Sequence, residues 1–182
     1  MNVETIIAIV TAGIAFLTSV VSFTYNLIKT RKERVQKIVL ENRIRYMNEI
    51  RDGFTSIIGV SDAKAIKLAR ADTNVMKGYT ERGFYGYGKI KTYLKPFYKI
   101  EKEILASLDR LYDAILSALS GDEEKATALA EYRDDFADRY LKYDWAYWKY
   151  IQSQKDGEYV DSDGAFDSVY NKLIDDIKHD RF

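Results

Sequence analysis

Three acidic residues within about one helical turn, Asp134, Asp135 and Asp138, are the first candidates for chemistry. Carboxylates on facing helices can hold two metal ions, but such sites ordinarily add Glu-x-x-His pairs, which this chain lacks. There is no Cys, and His179 is the only His, so thiolate metal sites and disulfides are excluded. A solvated acidic face explains the carboxylates better. We therefore predict no catalytic residue, no metal ligand, no cofactor and no enzyme activity.

Two further motifs resemble ligand loops only in part. The stretch DGEYVDSDG, residues 156–164, has Asp161, Asp163 and Gly164, but it lacks the twelve-residue calcium pattern and its closing Glu. The stretch GFYGYG, residues 83–88, has glycines at the wrong spacing for a phosphate-binding loop. We interpret the first as a helix cap and the second as part of a connection.

The most unusual segment is YDWAYWKY, residues 143–150, in which five of eight side chains are aromatic. Such a cluster can form a ligand cage, an aromatic belt at a membrane interface or a packed helix face. The tyrosines continue an apolar 3/4 spacing that begins at Leu129, and the tryptophans lie on an adjoining face. The pattern predicts mainly helix packing. A candidate partner surface comprises Tyr143, Trp145, Tyr147 and Trp148.

Residues 5–28 contain no charge, and as a helix they would extend about 36 Å. This exceeds the hydrocarbon thickness of about 30 Å. A secretory signal would begin with basic residues, whereas Glu4 is the only charged residue before the run. We predict a retained transmembrane anchor over residues 1–30, which places the chain in the lipid bilayer.

The charges that follow the apolar run predict its orientation. Five basic residues lie within 29–37, and basic flanks stay on the cytoplasmic side. The chain should sit in the inner (plasma) membrane with its N-terminus outside and its C-terminal domain cytoplasmic. The basic residues expected at the anionic membrane surface are Lys29, Arg31, Lys32, Arg34 and Lys37.

Small and polar residues form a stripe along the anchor at alternating spacings of three and four. Its members are Ala8, Thr11, Ala15, Thr18, Ser22 and Tyr25. Because hydrophobicity cannot drive helix association in lipid, close packing of small residues is the usual cause of assembly. We expect a homo-oligomer, with a narrow polar path as a further variant. The alternative is a lone anchor whose hydroxyls bond their own backbone.

The remaining residues, 31–182, predict an all-α cytoplasmic domain, an antiparallel bundle of about four helices. A single Pro and ten Gly suit long helices. We predict a long helix over 31–71, a Gly/Tyr loop over 72–89, and helices at about 90–120, 123–154 and 163–179. The long helix could pair with another copy as a coiled coil or fold back within the bundle. Gly121 is the expected helix stop, and Asp122 is the next N-cap.

Charge is unevenly distributed although the total is zero. Residues 1–102 carry 18 Lys/Arg and 9 Asp/Glu, a net +9, and residues 103–182 carry 10 and 19, a net −9. The halves either neutralise each other within one fold or face different neighbours. The basic residues cluster near the predicted membrane and no reading motif is present, so we expect no nucleic-acid partner.

Two stretches, VLENRIRYMNEIRDGF (39–54) and LKYDWAYWKYIQ (141–152), together resemble a group of uncharacterised bacterial single-pass membrane proteins. Those proteins have one N-terminal anchor and a small cytoplasmic helical domain, and some accompany phage-defence or prophage genes. The resemblance implies a bacterial origin and no catalytic residues.

The sequence thus supports two functions. The first is a membrane protein that self-associates through its anchor and binds an unknown cytoplasmic protein, in one version a membrane-disrupting phage-defence effector. The alternative is a passive scaffold or adaptor that recruits a cytoplasmic partner.

Overall fold

A computed structural model describes residues 2–155, 168, 170–172 and 174–175 of the 182-residue chain. Side chains within helices are described except at positions 4–10, 32, 35–36, 125 and 153–155. The predicted all-α class is confirmed, since the described residues form helices and no strand. Most of the predicted last helix, 163–179, lies outside the described residues, although those that are described there are helical.

The chain divides into two units, Met1–Asn42 and Arg43–Phe182, and the first helix, α1 (Val3–Gly59), belongs to both. In the first unit, Thr11–Arg31 is long and apolar enough, by length and composition, to cross a membrane. None of its residues is buried. The predicted boundary at residue 30 marks the end of the apolar run, whereas the packing of the second unit begins at Arg43.

Helices α4 (Lys99–Ser120) and α5 (Glu123–Lys155) form an antiparallel pair. Gly121 ends α4 in the left-handed conformation, φ 99°, as predicted, and the chain reverses within two residues. Two ion pairs connect α4 to α5 farther from the turn. Arg110 binds Asp135, and Arg139 binds Glu103. The predicted helix at 123–154 is confirmed.

Apolar side chains from all five helices described between residues 3 and 155 form the core of the second unit, most of them from α1, α4 and α5. The α4 stripe is buried from Ile104 to Leu119. On α5, Phe136 and Tyr140 pack against Phe54 of α1, with ring centroids 5.7 and 4.1 Å away. Offset aromatic pairs of this kind add stabilisation to the burial of their area.

The predicted helix over 31–71 is wrong at its end. Helix α1 stops at Gly59, and the short helix α2 (Ala63–Ala69) starts after Asp62, whose side chain accepts a hydrogen bond from the Ala65 N–H. Because α2 is a separate element packed against α3, α4 and α5, the apolar face of α1 does not continue into it. Leu68, on α2, is 76% exposed.

The predicted Gly/Tyr loop over 72–89 is also wrong, because Thr73–Tyr93 form helix α3. One of its glycines, Gly86, serves close packing. A Cβ at Gly86 would lie 2.7 Å from the Gly53 carbonyl oxygen and 2.8 Å from the Ile57 nitrogen, so α3 crosses α1 backbone to backbone. Glycine makes such an approach possible.

The predicted helix at about 90–120 is divided in two. Residues 90–93 end α3, and a link over 94–98 precedes α4. Pro96 disfavours helical backbone at Lys95 and cannot donate a hydrogen bond itself, which explains the break. Leu94 is buried, while 95–98 are exposed.

We predict that Gly86→Ala lowers the free energy of unfolding by about 1–3 kcal/mol, since overpacking forces the two helices apart. Gly88→Ala is the matched control, because nothing lies within 4 Å of its added Cβ. It should raise stability by about 0.5–1 kcal/mol through helix propensity. Urea unfolding followed by Trp145 and Trp148 fluorescence measures both. Equal effects of the two substitutions would contradict the close crossing.

Candidate functional site

The octet at residues 143–150 lies on α5 with one face inside the second unit. Tyr143 is 0% exposed, and Tyr150 is also buried. Tyr147 is half-buried and stacks on Tyr46 of α1, with ring centroids 5.9 Å apart. Tyr143 is therefore a core residue, and its assignment to a partner surface is corrected.

The two tryptophans lie toward the outside of the same helix. Trp145 is 42% exposed, and the Lys149 ammonium lies 4.6 Å from its ring centroid. Trp148 is half-buried, with the Arg51 guanidinium 4.9 Å from its ring centroid. Cations over aromatic faces are stabilised by the ring quadrupole. The surface part of the octet thus consists of Trp145, Trp148 and the exposed edge of Tyr147.

A bidentate ion pair between Arg51 and Asp144 connects the octet to α1. Arg51 Nε lies 2.8 Å from Asp144 Oδ1, and Nη2 lies 2.7 Å from Oδ2. The hydrogen bonds to Asp144 raise the pKa of Arg51 above its usual value. This fork geometry adds both strength and orientation. In the sequence, Arg51 and Asp144 are charged residues that interrupt apolar patterns on two distant segments. No sequence motif indicates that these two side chains contact each other.

Glu101, a residue the sequence did not single out, is the buried carboxyl of the site. Its Oε1 accepts a hydrogen bond of 2.8 Å from the Tyr143 hydroxyl, and its Oε2 accepts one from the Lys95 backbone N–H. Burial raises the pKa of Glu101, although both hydrogen bonds oppose that shift. The carboxyl therefore joins α5 to the link between α3 and α4.

Tyr46 and Tyr93 connect α1 to the other side of that link. The Tyr46 hydroxyl donates a hydrogen bond of 2.9 Å to the Tyr93 carbonyl oxygen, and the rings meet edge to face. Burial raises the pKa of Tyr46, as it does that of Tyr143. Both hydroxyls are thus neutral donors over the physiological range.

Tyr140, one turn before Tyr143, differs in its hydrogen bonding. Its ring is buried, and its hydroxyl has no hydrogen-bond partner in the described part of the chain. Burial raises the pKa of Tyr140, the nearby Asp144 charge adds to that rise, and Arg51 opposes it. An unpaired buried hydroxyl costs stability.

The acidic residues considered as metal ligands pair with basic side chains. Asp134 contacts Arg133, Asp135 contacts Arg110 and Arg139, and Asp138 contacts Lys142. Within the described ranges, no group of three or more His, Asp or Glu side chains is placed to hold a metal ion. Residues 156–164 and His179 lie outside the described residues.

In the anchor stripe, Thr11, Ala15, Thr18, Ser22 and Tyr25 are exposed, and the Ala8 side chain lies outside the described set. The Thr18 hydroxyl donates to the Ile14 carbonyl oxygen at 2.8 Å within its own helix. The basic flank is exposed at Lys29, Arg31, Arg34 and Lys37, whereas the Lys32 side chain is not described. Glu33 and Glu41 stand 4.0 and 3.9 Å from Lys29 and Lys37.

No protein-family model, curated protein or solved structure matches this chain. Function therefore has to be argued from its own residues.

Two buried tyrosines one turn apart provide a matched test. Tyr143→Phe should lower the free energy of unfolding by about 1–3 kcal/mol, because the buried Glu101 carboxyl loses a donor. Tyr140→Phe removes only an unpaired hydroxyl and should leave stability unchanged or raise it by about 1 kcal/mol. Denaturant unfolding measures both. A loss at Tyr140 as large as that at Tyr143 would show that its hydroxyl is paired.

A pH dependence follows from the raised pKa of Glu101. A carboxyl whose pKa is higher in the folded state binds its proton more tightly in that state than in the unfolded chain. The resulting stabilisation is complete at pH values below the unfolded pKa of about 4.5. It is lost as the pH rises through the pKa of the folded state. The stability advantage of the wild type over Glu101→Gln should therefore shrink with rising pH above about 4.5. A difference that is constant or grows would contradict the buried carboxyl.

Proposed function

We propose that this chain is a single-pass membrane protein of a bacterial plasma membrane whose helical second unit binds a cytoplasmic partner. One observation carries the proposal: Thr11–Arg31 is an apolar helix with none of its residues buried. Nine large apolar side chains in it are exposed, and each gains about 1.5–3 kcal/mol when removed from water. Its 21 residues extend about 32 Å, which suits a bilayer core.

The basic residues after this helix support the orientation with the N-terminus outside. They include Lys29, Arg31 and Arg34, all exposed, and they suit the cytoplasmic headgroups. The second unit then lies in the cytoplasm as an antiparallel helical bundle. Its α4–α5 pair and the α1–α3 crossing at Gly86 are consistent with that arrangement.

The anchor also serves self-association in this proposal. Ala15, Thr18 and Ser22 present small side chains along one side of the helix, which lets a second copy approach closely. Since the Thr18 hydroxyl already bonds within its helix, packing of small side chains contributes more than hydrogen bonds between helices.

The partner surface in the second unit is the exposed part of the octet. Trp145 and Trp148 carry large apolar area beside Lys149 and Arg51, and Trp and Arg are enriched at protein interfaces. The partner in this proposal is an unidentified cytoplasmic protein. In one version of the proposal, the chain is a phage-defence effector, and binding of the partner triggers membrane damage.

A passive scaffold is the second candidate. The internal hydrogen bonds of Thr18 and of Thr24, whose hydroxyl donates to the Val20 carbonyl oxygen, favour it because a lone anchor satisfies its hydroxyls in this way. In a scaffold, an unrelated apolar helix could replace residues 5–28 without loss of partner recruitment.

We predict that the combined substitutions Ala15→Leu and Ser22→Leu weaken self-association at least about tenfold, the equivalent of roughly 1.4 kcal/mol. Phe16→Leu and Val20→Leu, on the opposite side of the helix, are the matched control and should have no effect. Particle mass in detergent and crosslinking in liposomes measure assembly, and dye release from the same liposomes measures membrane damage.

Loss of both assembly and dye release in the stripe variant alone supports the effector. A monomeric wild-type protein that releases no dye excludes self-association and the effector, and leaves the scaffold.

A further inference from the structure

The link between α3 and α4 presents two aromatic side chains to solvent. Phe97 is 73% exposed and Tyr98 is 55% exposed, and their rings pack on each other with centroids 4.6 Å apart. Leu94 is buried at the base of the link. We call residues 95–99 the aromatic tip. Two adjacent exposed rings are unfavourable in water unless another surface covers them.

Unpaired lysines surround the aromatic tip. Lys95, Lys99 and Lys102 are exposed, and none forms a salt bridge with any described residue. Two lysines on the last turns of α3 differ, since Lys89 binds Glu49 and Asp52, and Lys91 binds Asp109. Within residues 95–102 the one acid is Glu101, which is buried and accepts hydrogen bonds from the Tyr143 hydroxyl and the Lys95 backbone N–H. The tip therefore combines positive charge with apolar area.

The tip is held in shape by contacts at its base. Glu101 accepts the Lys95 N–H, the Tyr98 N–H donates to the Lys95 carbonyl oxygen at 3.2 Å, and Tyr46 binds the Tyr93 carbonyl oxygen. Ordering a loop on binding costs conformational entropy, and a preformed loop avoids most of that cost.

The tip lies at the end of the second unit where α1 enters it, because Tyr46, in the first turn after Arg43, contacts Tyr93. Eleven residues lie between Arg31, the end of the apolar helix, and Arg43, so the chain can span at most about 40 Å between them. A bilayer that holds the apolar helix is thus always within reach, which gives a high effective concentration.

We propose that the aromatic tip docks onto the anionic lipid surface of the membrane, with Phe97 and Tyr98 at the headgroup level and Lys95, Lys99 and Lys102 on lipid phosphates and carboxylates. Aromatic rings favour this interface, and each nearby lysine favours an anionic leaflet. The inference rests on the proposed membrane anchor. It assigns the second unit a contact with lipid that is separate from the Trp145–Trp148 surface.

The absence of Cys from the sequence makes a direct test simple. The full chain carries a nitroxide label at Pro96→Cys, and a second version carries it at the exposed Thr92→Cys, which keeps Pro96 and the break between α3 and α4 and must report the same surroundings. Both versions leave the two rings and all three lysines in place. It is reconstituted into nanodiscs of zwitterionic lipid, with or without anionic lipid. Power saturation of the electron paramagnetic resonance spectrum measures how often two relaxing agents collide with the label. Oxygen concentrates in lipid, whereas a nickel chelate stays in water, so their relative effects show which of the two surrounds the label.

Two further label sites serve as controls. Leu68→Cys is an exposed apolar position on α2 near the far end of α4, roughly 32 Å along that helix from the tip, and should stay in water. Val20→Cys lies in the apolar helix and should lie in lipid in every disc. If the Val20 label is aqueous, the anchor itself fails. If it is in lipid while the Pro96 label is aqueous, only the docking fails.

We expect the Pro96 label to contact lipid in anionic discs and to remain aqueous in zwitterionic ones. The combined changes Lys95→Glu, Lys99→Glu and Lys102→Glu should lower the docked-to-undocked ratio by at least a hundredfold, since each lysine contributes roughly fivefold. The matched charge control, Lys64→Glu, Lys67→Glu and Lys77→Glu, should leave the ratio unchanged. Equal docking in both discs, an aqueous Pro96 label in both, or an effect of the control set equal to that of the tip set would each overturn the proposal.

Discussion

The exposed apolar surface of Thr11–Arg31 is the constraint on which the proposed function of this chain depends. Removing its nine large side chains from water is worth on the order of 20 kcal/mol, more than the 5–15 kcal/mol that stabilises an ordinary domain. None of these side chains is buried by the described residues. In the proposed function, a bilayer covers every side of the helix at once.

Polar contacts, in contrast, organise the second unit. Arg51 and Asp144 orient α5 against α1, and Glu101 ties both Tyr143 and the Lys95 backbone to the start of α4. These contacts converge on the end of the unit where α1 enters. Because a partly buried charge tolerates few alternative partners, they specify one arrangement of helices whose apolar faces alone could slide.

The pattern of the sequence predicted the α4–α5 pair well and α3 poorly. Helices α4 and α5 carry long apolar stripes separated by Gly121, a strong local stop signal. Helix α3 contains four glycines, each unfavourable in a helix, so local propensity indicated a loop. Its stability comes from the contact of Gly86 with Gly53 of α1, more than thirty positions earlier in the chain. Helix propensity depends only on neighbouring residues and does not include such a contact. The same limit applied to Arg51, Asp144 and Glu101, whose partners lie on other helices.

The amino-acid sequence by itself determined the helical class, the apolar helix with its basic flank and the turn at Gly121, because each depends on residues adjacent in the chain. Only the tertiary structure decided that Gly86 lies at the crossing of α3 and α1, that Tyr143 is core while Trp145 is surface, and that Phe97 and Tyr98 face outward. Those outcomes depend on which helix faces meet, and pairwise burial between distant segments decides that.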